Sequence, residues 1–216
     1  MAEADGVRLY LISPPAFDDT LPDRVAALLD GFEIACLRLA LAAASEDAVA
    51  RAADALRPVA HARDVPLVVA DHFRLAKRLG LDGVHLGDPR QVRAARGELG
   101  RDGIVGAFAR ASRHDGLGAA EAGADYVSFG PAGATLLGDG GVAPPDLFAW
   151  WSEMIEVPVV AEGGLTPALA ATLAPTADFL ALGDELWSAP EGPEAALRAI
   201  LAGIGQGTSP SEPGAA

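Results

Sequence analysis

One phrase recurs three times along this chain: an aspartate, a short apolar run and a glycine. The three copies occupy residues 82–87, 125–130 and 178–183. Each copy predicts a short buried strand that ends in a tight turn at its carboxyl end. Because helical segments separate the copies, we expect parallel strands, and this repeated unit constrains the fold more than any other feature of the sequence.

Five further apolar runs bring the number of predicted strands to eight, and helical segments alternate with them. In order, the strands are predicted over 7–12, 34–39, 66–70, 83–86, 104–108, 126–129, 157–161 and 179–182. About eight such units favour a closed (β/α)₈ barrel over an open doubly wound sheet. We therefore expect an α/β fold with a single TIM-barrel domain over residues 1–204. A disordered C-terminal tail, rich in Gly, Ser and Pro, is predicted over 205–216.

Composition narrows the class of function. Of the 216 residues 50% are hydrophobic, enough for a sizeable core, and no apolar run approaches the ~20 residues of a membrane span. Sixteen Lys and Arg residues against thirty Asp and Glu residues give a net charge of −14, so the average field repels nucleic acid and anionic membranes. The single Cys36 allows no internal disulfide. We expect a cytoplasmic protein that acts on a small molecule and binds neither nucleic acid nor membrane. The composition leaves open whether the protein forms a homo-oligomer.

Two strand-to-helix junctions near the C-terminus have the composition of an anion site. Gly-Gly-Leu-Thr-Pro over 163–167 follows the seventh strand, and Gly183 and Asp184 follow the eighth. The N–H groups at the start of a helix can hold a phosphate. Carboxylates at Glu162 and Asp184 could instead take its place. Two like charges ~4 Å apart repel by about 4 kcal/mol at an effective dielectric constant of about 20, which would weaken phosphate binding strongly.

Several motifs are shared with one known family. They are Cys36-Leu37-Arg38, Ala70-Asp71, the phrase over 82–87, Ala124-Asp125-Tyr126 with Gly130-Pro131, and Ala161-Glu162-Gly163-Gly164. In combination they resemble the thiamine phosphate synthase family, and the resemblance runs from Leu9 to about Leu201. It implies a (β/α)₈ barrel and a transferase that joins a pyrimidine diphosphate to a thiazole phosphate. It also implies a Mg²⁺ ion that holds the leaving pyrophosphate.

The resemblance implies catalytic roles for Arg38 and Asp71. On strand two the family has Gln, Arg and Lys at alternate positions, which share one face of the strand. Of these three, only Arg38 remains to grip the diphosphate. Asp71 matches a metal-binding Asp of the family. The second metal-binding Asp falls at Arg90, so Asp88, two residues earlier, is the candidate for the other ligand of an incomplete Mg²⁺ site.

For substrate binding the resemblance implies a second set of residues: Thr135, Gly163, Gly164, Gly183 and Asp184. The family has Thr-x-Thr-Lys after strand six; Thr135 matches the first Thr, while the second Thr and the Lys fall at Leu137 and Gly138. The family's Ile before the glycine pair is Glu162, and its Ser after strand eight is Asp184. These departures all weaken the attraction of the site for anions.

The site residues also have plainer interpretations. Arg38 either binds a diphosphate or pairs with Asp71 or Glu162 across the barrel. Asp88 precedes a proline, as helix-capping aspartates often do, and Asp184 could cap a helix in the same way. For function, the retained residues favour a synthase-type transferase. The missing ones favour a diverged paralogue without that activity: a binding or regulatory protein, or an enzyme with a less anionic substrate.

Overall fold

The computed structural model describes residues 6–42, 44–135 and 141–205. The strands are β1 (Arg8–Ile12), β2 (Ile34–Leu39), β3 (Leu67–Ala70), β4 (Gly83–Leu86), β5 (Ile104–Phe108), β6 (Tyr126–Phe129), β7 (Val159–Glu162) and β8 (Phe179–Leu182). The helices are α1 (Leu21–Gly31), α2 (Glu46–His61), α3 (Phe73–Leu79), α4 (Val92–Leu99), α5 (Arg113–Glu121), α6 (Pro145–Met154), α7 (Pro167–Leu173), α8 (Asp184–Trp187) and α9 (Pro193–Gly203). The predicted tail beyond Gly205, and the positions of Leu137 and Gly138, lie outside the described residues.

The eight strands form a closed barrel. Each strand pairs in parallel with the next one along the chain, and β8 closes the ring against β1. This topology confirms the predicted (β/α)₈ fold and excludes the open doubly wound sheet. Because all strands run parallel, their carboxyl ends meet at one end of the barrel, which we call the mouth, and barrels of this kind carry their active sites there.

Observed strand bounds lie within two residues of the predicted ones, and the difference at β7 affects the site. The sequence predicted that this strand ends at Ala161, whereas its last residue is Glu162. Side chains alternate between the two faces of a strand, so Glu162 shares a face with Val160. Val160 belongs to the cluster packed inside the barrel. The inner face of β7 therefore places a carboxylate in the mouth.

The repeated aspartates close the opposite end of the barrel. Each Oδ2 accepts a hydrogen bond of 2.7 Å from an N–H at or next to the start of the neighbouring strand: from Leu67 to Asp82, from Val105 to Asp125 and from Val159 to Asp178. The N–H of each aspartate donates in turn to the carbonyl of the same partner. These reciprocal hydrogen bonds satisfy backbone groups at the ends of the barrel strands, which explains why the phrase recurs.

Replacing Asp178 by alanine should lower the free energy of unfolding by about 1–3 kcal/mol, because the N–H of the fully buried Val159 would lose its partner. The variant Asp178→Asn keeps an oxygen acceptor and should recover part of this loss. Urea unfolding followed by circular dichroism measures both, with Asp19→Ala at an exposed position as the control. An effect of Asp178→Ala no larger than that of the control would contradict this role.

Two apolar regions hold the barrel together. The larger one, between strands and helices, includes the fully buried Trp151 and Phe148. The smaller one fills the inside of the barrel and consists of Tyr10, Cys36, Val68, Tyr126, Val160 and Ala181. Cys36 is therefore a packing residue. Among the helices in the described ranges, none is long and apolar enough to cross a membrane.

Candidate active site

The mouth brings together most of the residues that the sequence singled out. Arg38 lies within β2, Asp71 directly follows β3, Gly163 directly follows β7 and Gly183 directly follows β8. Asp88 lies two residues beyond β4. Because these strands are parallel members of one barrel, all five positions lie at the same end of the molecule.

Arg38 pairs with Glu162 across the barrel. Its Nη1 donates to Oε2 of Glu162 at 2.9 Å, and Arg38 is only 7% exposed. Of the two carboxylates that the sequence offered as partners, Glu162 is the one used, and Asp71 forms no ion pair within the described residues. Burial by itself would lower the pKa of Arg38, but the neighbouring Glu162 raises it well above its usual value. Arg38 is therefore a buried cation with a partly buried counter-ion.

Asp71 links the ends of β3 and β4. Its Oδ1 accepts the N–H of Gly87 at 2.6 Å, and its own N–H donates to the carbonyl of His85 at 2.9 Å. The backbone of Asp71 is left-handed, with a φ of 59°. Such a conformation in a residue other than glycine is uncommon and is typical of functional sites. This geometry is compatible with the predicted catalytic role of Asp71, which stays a prediction.

Asp88 caps the 3₁₀ turn over Pro89–Gln91, as its plainer interpretation predicted. Its Oδ1 accepts the N–H of Arg90 at 3.1 Å. The side chain of Arg90 holds both carboxylate oxygens, with Nε to Oδ1 and Nη2 to Oδ2 each at 2.9 Å. These hydrogen bonds lower the pKa of Asp88. Oδ1 of Asp88 already accepts two hydrogen bonds from Arg90, and a metal ion at this carboxylate would lie next to the guanidinium cation that holds it.

The carboxylates of the mouth do not form a cage for Mg²⁺. Within the described ranges there is no group of three or more His, Cys, Asp or Glu residues that could hold a metal ion. Asp71 has one carboxylate oxygen engaged by Gly87, and Asp88 has both engaged by Arg90. Mg²⁺ is commonly held by one or two carboxylates together with substrate phosphates. A Mg²⁺ ion at the mouth would therefore need ligands from a bound substrate in addition to Asp71.

Gly163 and Gly164 let two loops approach each other closely. Their φ angles are 82° and 67°, a region that favours glycine. The N–H of Gly133 donates to the carbonyl of Gly163 at 3.0 Å, and a Cβ on Gly133 would lie 2.1 Å from the carbonyl oxygen of Gly164. Thr135 joins this group, since its Cγ2 is 3.9 Å from where a Cβ of Gly163 would be. The glycine pair therefore has a structural reason in addition to the predicted phosphate contact.

At the second junction, the carboxylate beside Gly183 is that of Glu185. The N–H of Gly183 donates to Oε2 of Glu185 at 3.2 Å, while Oε1 is buried without a hydrogen-bond partner in the described part of the chain. Asp184 is exposed and is the first residue of α8, whose N-cap is Gly183. The interpretation that Asp184 caps this helix was wrong: the N-cap is Gly183, and the carboxylate that accepts its N–H belongs to Glu185.

Burial raises the pKa of Glu185, although the N–H groups of Glu185 itself, Gly183 and Leu165 oppose this shift. At the second junction the N–H of Gly183 is therefore already engaged by a carboxylate of the chain itself. Glu185 was not predicted from the sequence, where its only signal is a second acidic residue directly after Gly183 and Asp184.

Arg110 is a second residue that the sequence analysis missed. It lies two positions beyond β5 in a left-handed conformation, with a φ of 53°, and its carbonyl accepts the N–H of Gly130 at 3.0 Å. Its side chain is exposed, and its charge contributes to lowering the pKa of Asp88. Arg110 therefore adds a cation to a mouth from which the family's lysines are missing.

Comparison with known proteins agrees with this architecture. The family model for thiamine monophosphate synthase matches residues 9–186. The thiamine-phosphate synthase of Rhodospirillum centenum is 45% identical over 196 residues, which cover 88% of this chain and 94% of that protein. That of Erythrobacter litoralis is 39% identical over 199 residues, covering 88% and 93% respectively.

A solved structure of similar shape is the thiamine phosphate pyrophosphorylase from Pyrococcus furiosus. It has a TM-score of 0.77 at 24% identity, and the match covers 93% of this chain and 96% of that one. This likeness supports the fold, while the sequence identities above and the match to the family model establish the relationship. The chain belongs to the thiamine phosphate synthase family.

Proposed function

We propose that this protein is a thiamine phosphate synthase, which joins a pyrimidine diphosphate to a thiazole phosphate and releases pyrophosphate. The observation that carries the proposal is the 45% identity to a protein of that name over 88% of the chain. The arrangement of Arg38, Asp71, Thr135 and the glycine pair at one barrel mouth supports it. The relatives described above all bear a synthase or pyrophosphorylase name, so nothing in them favours the alternative of a paralogue without activity.

Arg38 would stabilise the leaving group in this reaction. The bond between carbon and the diphosphate oxygen breaks, the bonding electrons leave with pyrophosphate, and the thiazole supplies the electron pair of the new bond. Negative charge therefore grows on the pyrophosphate. Fixed positive donors at that position lower the barrier because they need no reorganisation during the reaction. Nη2 of Arg38 forms no hydrogen bond within the described residues and could donate to it.

Asp71 would hold the Mg²⁺ ion that neutralises part of the diphosphate charge when it is bound. The proposal includes this metal ion, phosphate binding at the two junctions and a cytoplasmic location. It also includes the absence of a nucleic-acid partner, which the net charge of −14 supports. The assembly state is a separate question that light scattering would answer.

Incubation of the purified protein with both phosphorylated precursors and Mg²⁺ tests the proposal. We expect thiamine phosphate and pyrophosphate to appear in equal amounts, and the variant Asp71→Asn to lose most of the turnover. Asp64→Asn is a suitable control, because Asp64 also has a left-handed backbone but lies between α2 and β3, away from the mouth. Product formation no faster than without protein would refute the proposal.

We expect Arg110→Gln to raise the KM for the pyrimidine diphosphate about five- to twentyfold, with a smaller effect on kcat. The removed charge is exposed, so its contribution to binding is partly screened by salt. The effect should therefore shrink as ionic strength rises. Steady-state kinetics at low and high salt measure this, with the exposed Arg101→Gln as the control. A KM that matches the control at low salt would contradict the assignment of Arg110 to the mouth.

A further inference from the structure

Glu162 contacts more than Arg38. Its Oε2 lies 2.9 Å from Nη1 of Arg38 and 3.8 Å from Nε2 of His85, so one carboxylate oxygen faces side chains from β2 and β4. The three side chains have exposed fractions of 8%, 14% and 6% for Arg38, Glu162 and His85. A distance of 3.8 Å is too long for a hydrogen bond. Glu162 is therefore bonded to Arg38 and merely adjacent to His85.

The other side of His85 continues into a chain of hydroxyl groups. Nδ1 of His85 is 3.0 Å from the hydroxyl of Tyr126, which is 2.8 Å from the hydroxyl of Tyr10. The centroid of the Tyr10 ring lies 5.7 Å from the guanidinium carbon of Arg38, so the chain of contacts leads back to the partner of Glu162. His85, Tyr126 and Tyr10 are thus joined by hydrogen bonds into one buried group next to Arg38 and Glu162.

Arg38 and Glu162 are the only charged members of this group. Burial, and then the charge of Arg38, lower the pKa of His85 well below its usual value, so the ring is neutral at neutral pH. Burial likewise raises the pKa of Tyr10 and of Tyr126, so both hydroxyls stay protonated. The group is thus a neutral scaffold around one ion pair, and His85 is a buried structural histidine.

The guanidinium of Arg38 has unused donors. An arginine carries five N–H groups in a planar fork. Glu162 takes one of them through Nη1, Nε is buried without a partner, and Nη2 forms no hydrogen bond within the described residues. Because the pair is held at Nη1, the direction in which the remaining donors point depends on the reach of the Glu162 side chain.

We propose that Glu162 is a positioning residue for Arg38: its carboxylate fixes the guanidinium so that the unused Nη2 faces the diphosphate of the substrate. The proposal rests on the function proposed above and adds to it a residue that the family resemblance had marked only as a departure. Glu162 does not touch the substrate; it acts through Arg38. A misplacement of about 1 Å can reduce catalysis about a hundredfold, so the length of this side chain should matter more than its charge.

Two conservative variants separate the effect of the length of the Glu162 side chain from the effect of its charge. Glu162→Asp keeps the charge and shortens the side chain by one methylene group, while Glu162→Gln keeps the reach and an oxygen acceptor and removes the charge. We expect Glu162→Asp to weaken pyrophosphate binding at least tenfold, and to lower kcat by a similar factor. Glu162→Gln should bind pyrophosphate at least as tightly as the wild type, since it removes a repelling charge.

Isothermal calorimetry with pyrophosphate, together with the synthase assay and thermal unfolding, gives the measurements, and the exposed Glu191→Asp is the matched control. In an Arg38→Lys background the additional effect of Glu162→Asp should fall to within about twofold, because coupled residues are not additive. Wild-type affinity in Glu162→Asp, an effect independent of Arg38, or a change in thermal stability alone would each overturn the proposal.

Two further outcomes keep the proposal testable. If Glu162→Asp does not fold, Arg38→Lys takes its place, because lysine keeps the charge but lacks the fork; wild-type affinity in that variant overturns the proposal. Absence of pyrophosphate binding to the wild-type protein would also overturn the proposal. If pyrophosphate binds with the expected pattern but no thiamine phosphate forms, the proposed function fails and the positioning role stands.

Discussion

Arg38→Met should lower kcat/KM by about a hundred- to a thousandfold, the cost of losing one fixed electrostatic contact to a developing charge. It should also lower the free energy of unfolding by about 3–5 kcal/mol, because it leaves the partly buried carboxylate of Glu162 without its partner. Of the substitutions considered for this protein, it combines the largest expected effects on activity and on stability. The two effects have different causes and can be separated.

The double variant Arg38→Met/Glu162→Met separates them. Replacing a buried ion pair by apolar side chains of similar volume is often neutral or stabilising. The double variant should therefore recover most of the stability that Arg38→Met loses, and its activity should stay as low. Urea unfolding and the synthase assay on the same preparations provide both numbers. Activity that returns together with stability would mean that Arg38 is structural and that the diphosphate is held elsewhere.

The fold could be predicted from the sequence because its signals are local and repeated. The repeated phrase begins at Asp82, Asp125 and Asp178. In each copy the aspartate carboxylate accepts a hydrogen bond from the neighbouring strand, and the aspartate N–H donates one to it. Eight short apolar runs separated by helices then leave few ways to close a parallel sheet. Arg38 was identified through the family resemblance, and alternation along the strand then predicted that its side chain shares a face with those of Cys36 and Ala40.

The site was less predictable because it depends on how strands from distant parts of the chain meet. The pair between Arg38 and Glu162 joins residues 124 positions apart, and it required β7 to extend one residue further than its apolar run. The left-handed backbone of Arg110 has no sequence signal, and that of Asp71 has only a weak one, since aspartate adopts this region more often than most residues other than glycine. Glu185 was missed because a helix start offers two adjacent carboxylates, and only the fold decides which one turns inward.

Glu185→Gln should strengthen the binding of sulfate, a phosphate mimic, by at least tenfold. The N–H of Gly183 donates to Oε2 of Glu185, so an anion that uses this donor must approach a buried carboxylate. Two unit charges ~4 Å apart repel by about 4 kcal/mol at an effective dielectric constant of about 20, which sets an upper limit near a thousandfold. Glutamine removes the charge but keeps an oxygen that can still accept the N–H of Gly183. We therefore expect a gain in sulfate affinity smaller than this limit.

The pH dependence of sulfate binding provides an independent check on Glu185. Burial raises the pKa of this carboxyl above its usual range, so as pH falls through that raised value the group becomes neutral and the repulsion disappears. Sulfate stays doubly charged over this range, so wild-type affinity should rise towards acidic pH, while Glu185→Gln should show a flatter profile. Stability should also rise towards acidic pH, because the folded protein holds this proton more tightly than the unfolded chain. At pH values above the raised pKa, the ionised Glu185 therefore destabilises the fold.

Two comparisons make the outcome specific to the buried carboxylate. Glu191→Gln removes an exposed charge from the turn between α8 and α9 and should leave sulfate binding unchanged. Asp184→Asn removes an exposed charge next to Glu185 and should have a smaller effect, because solvent screens it. If Asp184→Asn and Glu185→Gln had equal effects, net charge at the mouth would be the cause. If neither changed the affinity, the Gly183 junction would not bind the anion, and the phosphate contact would lie at Gly163 and Gly164 alone.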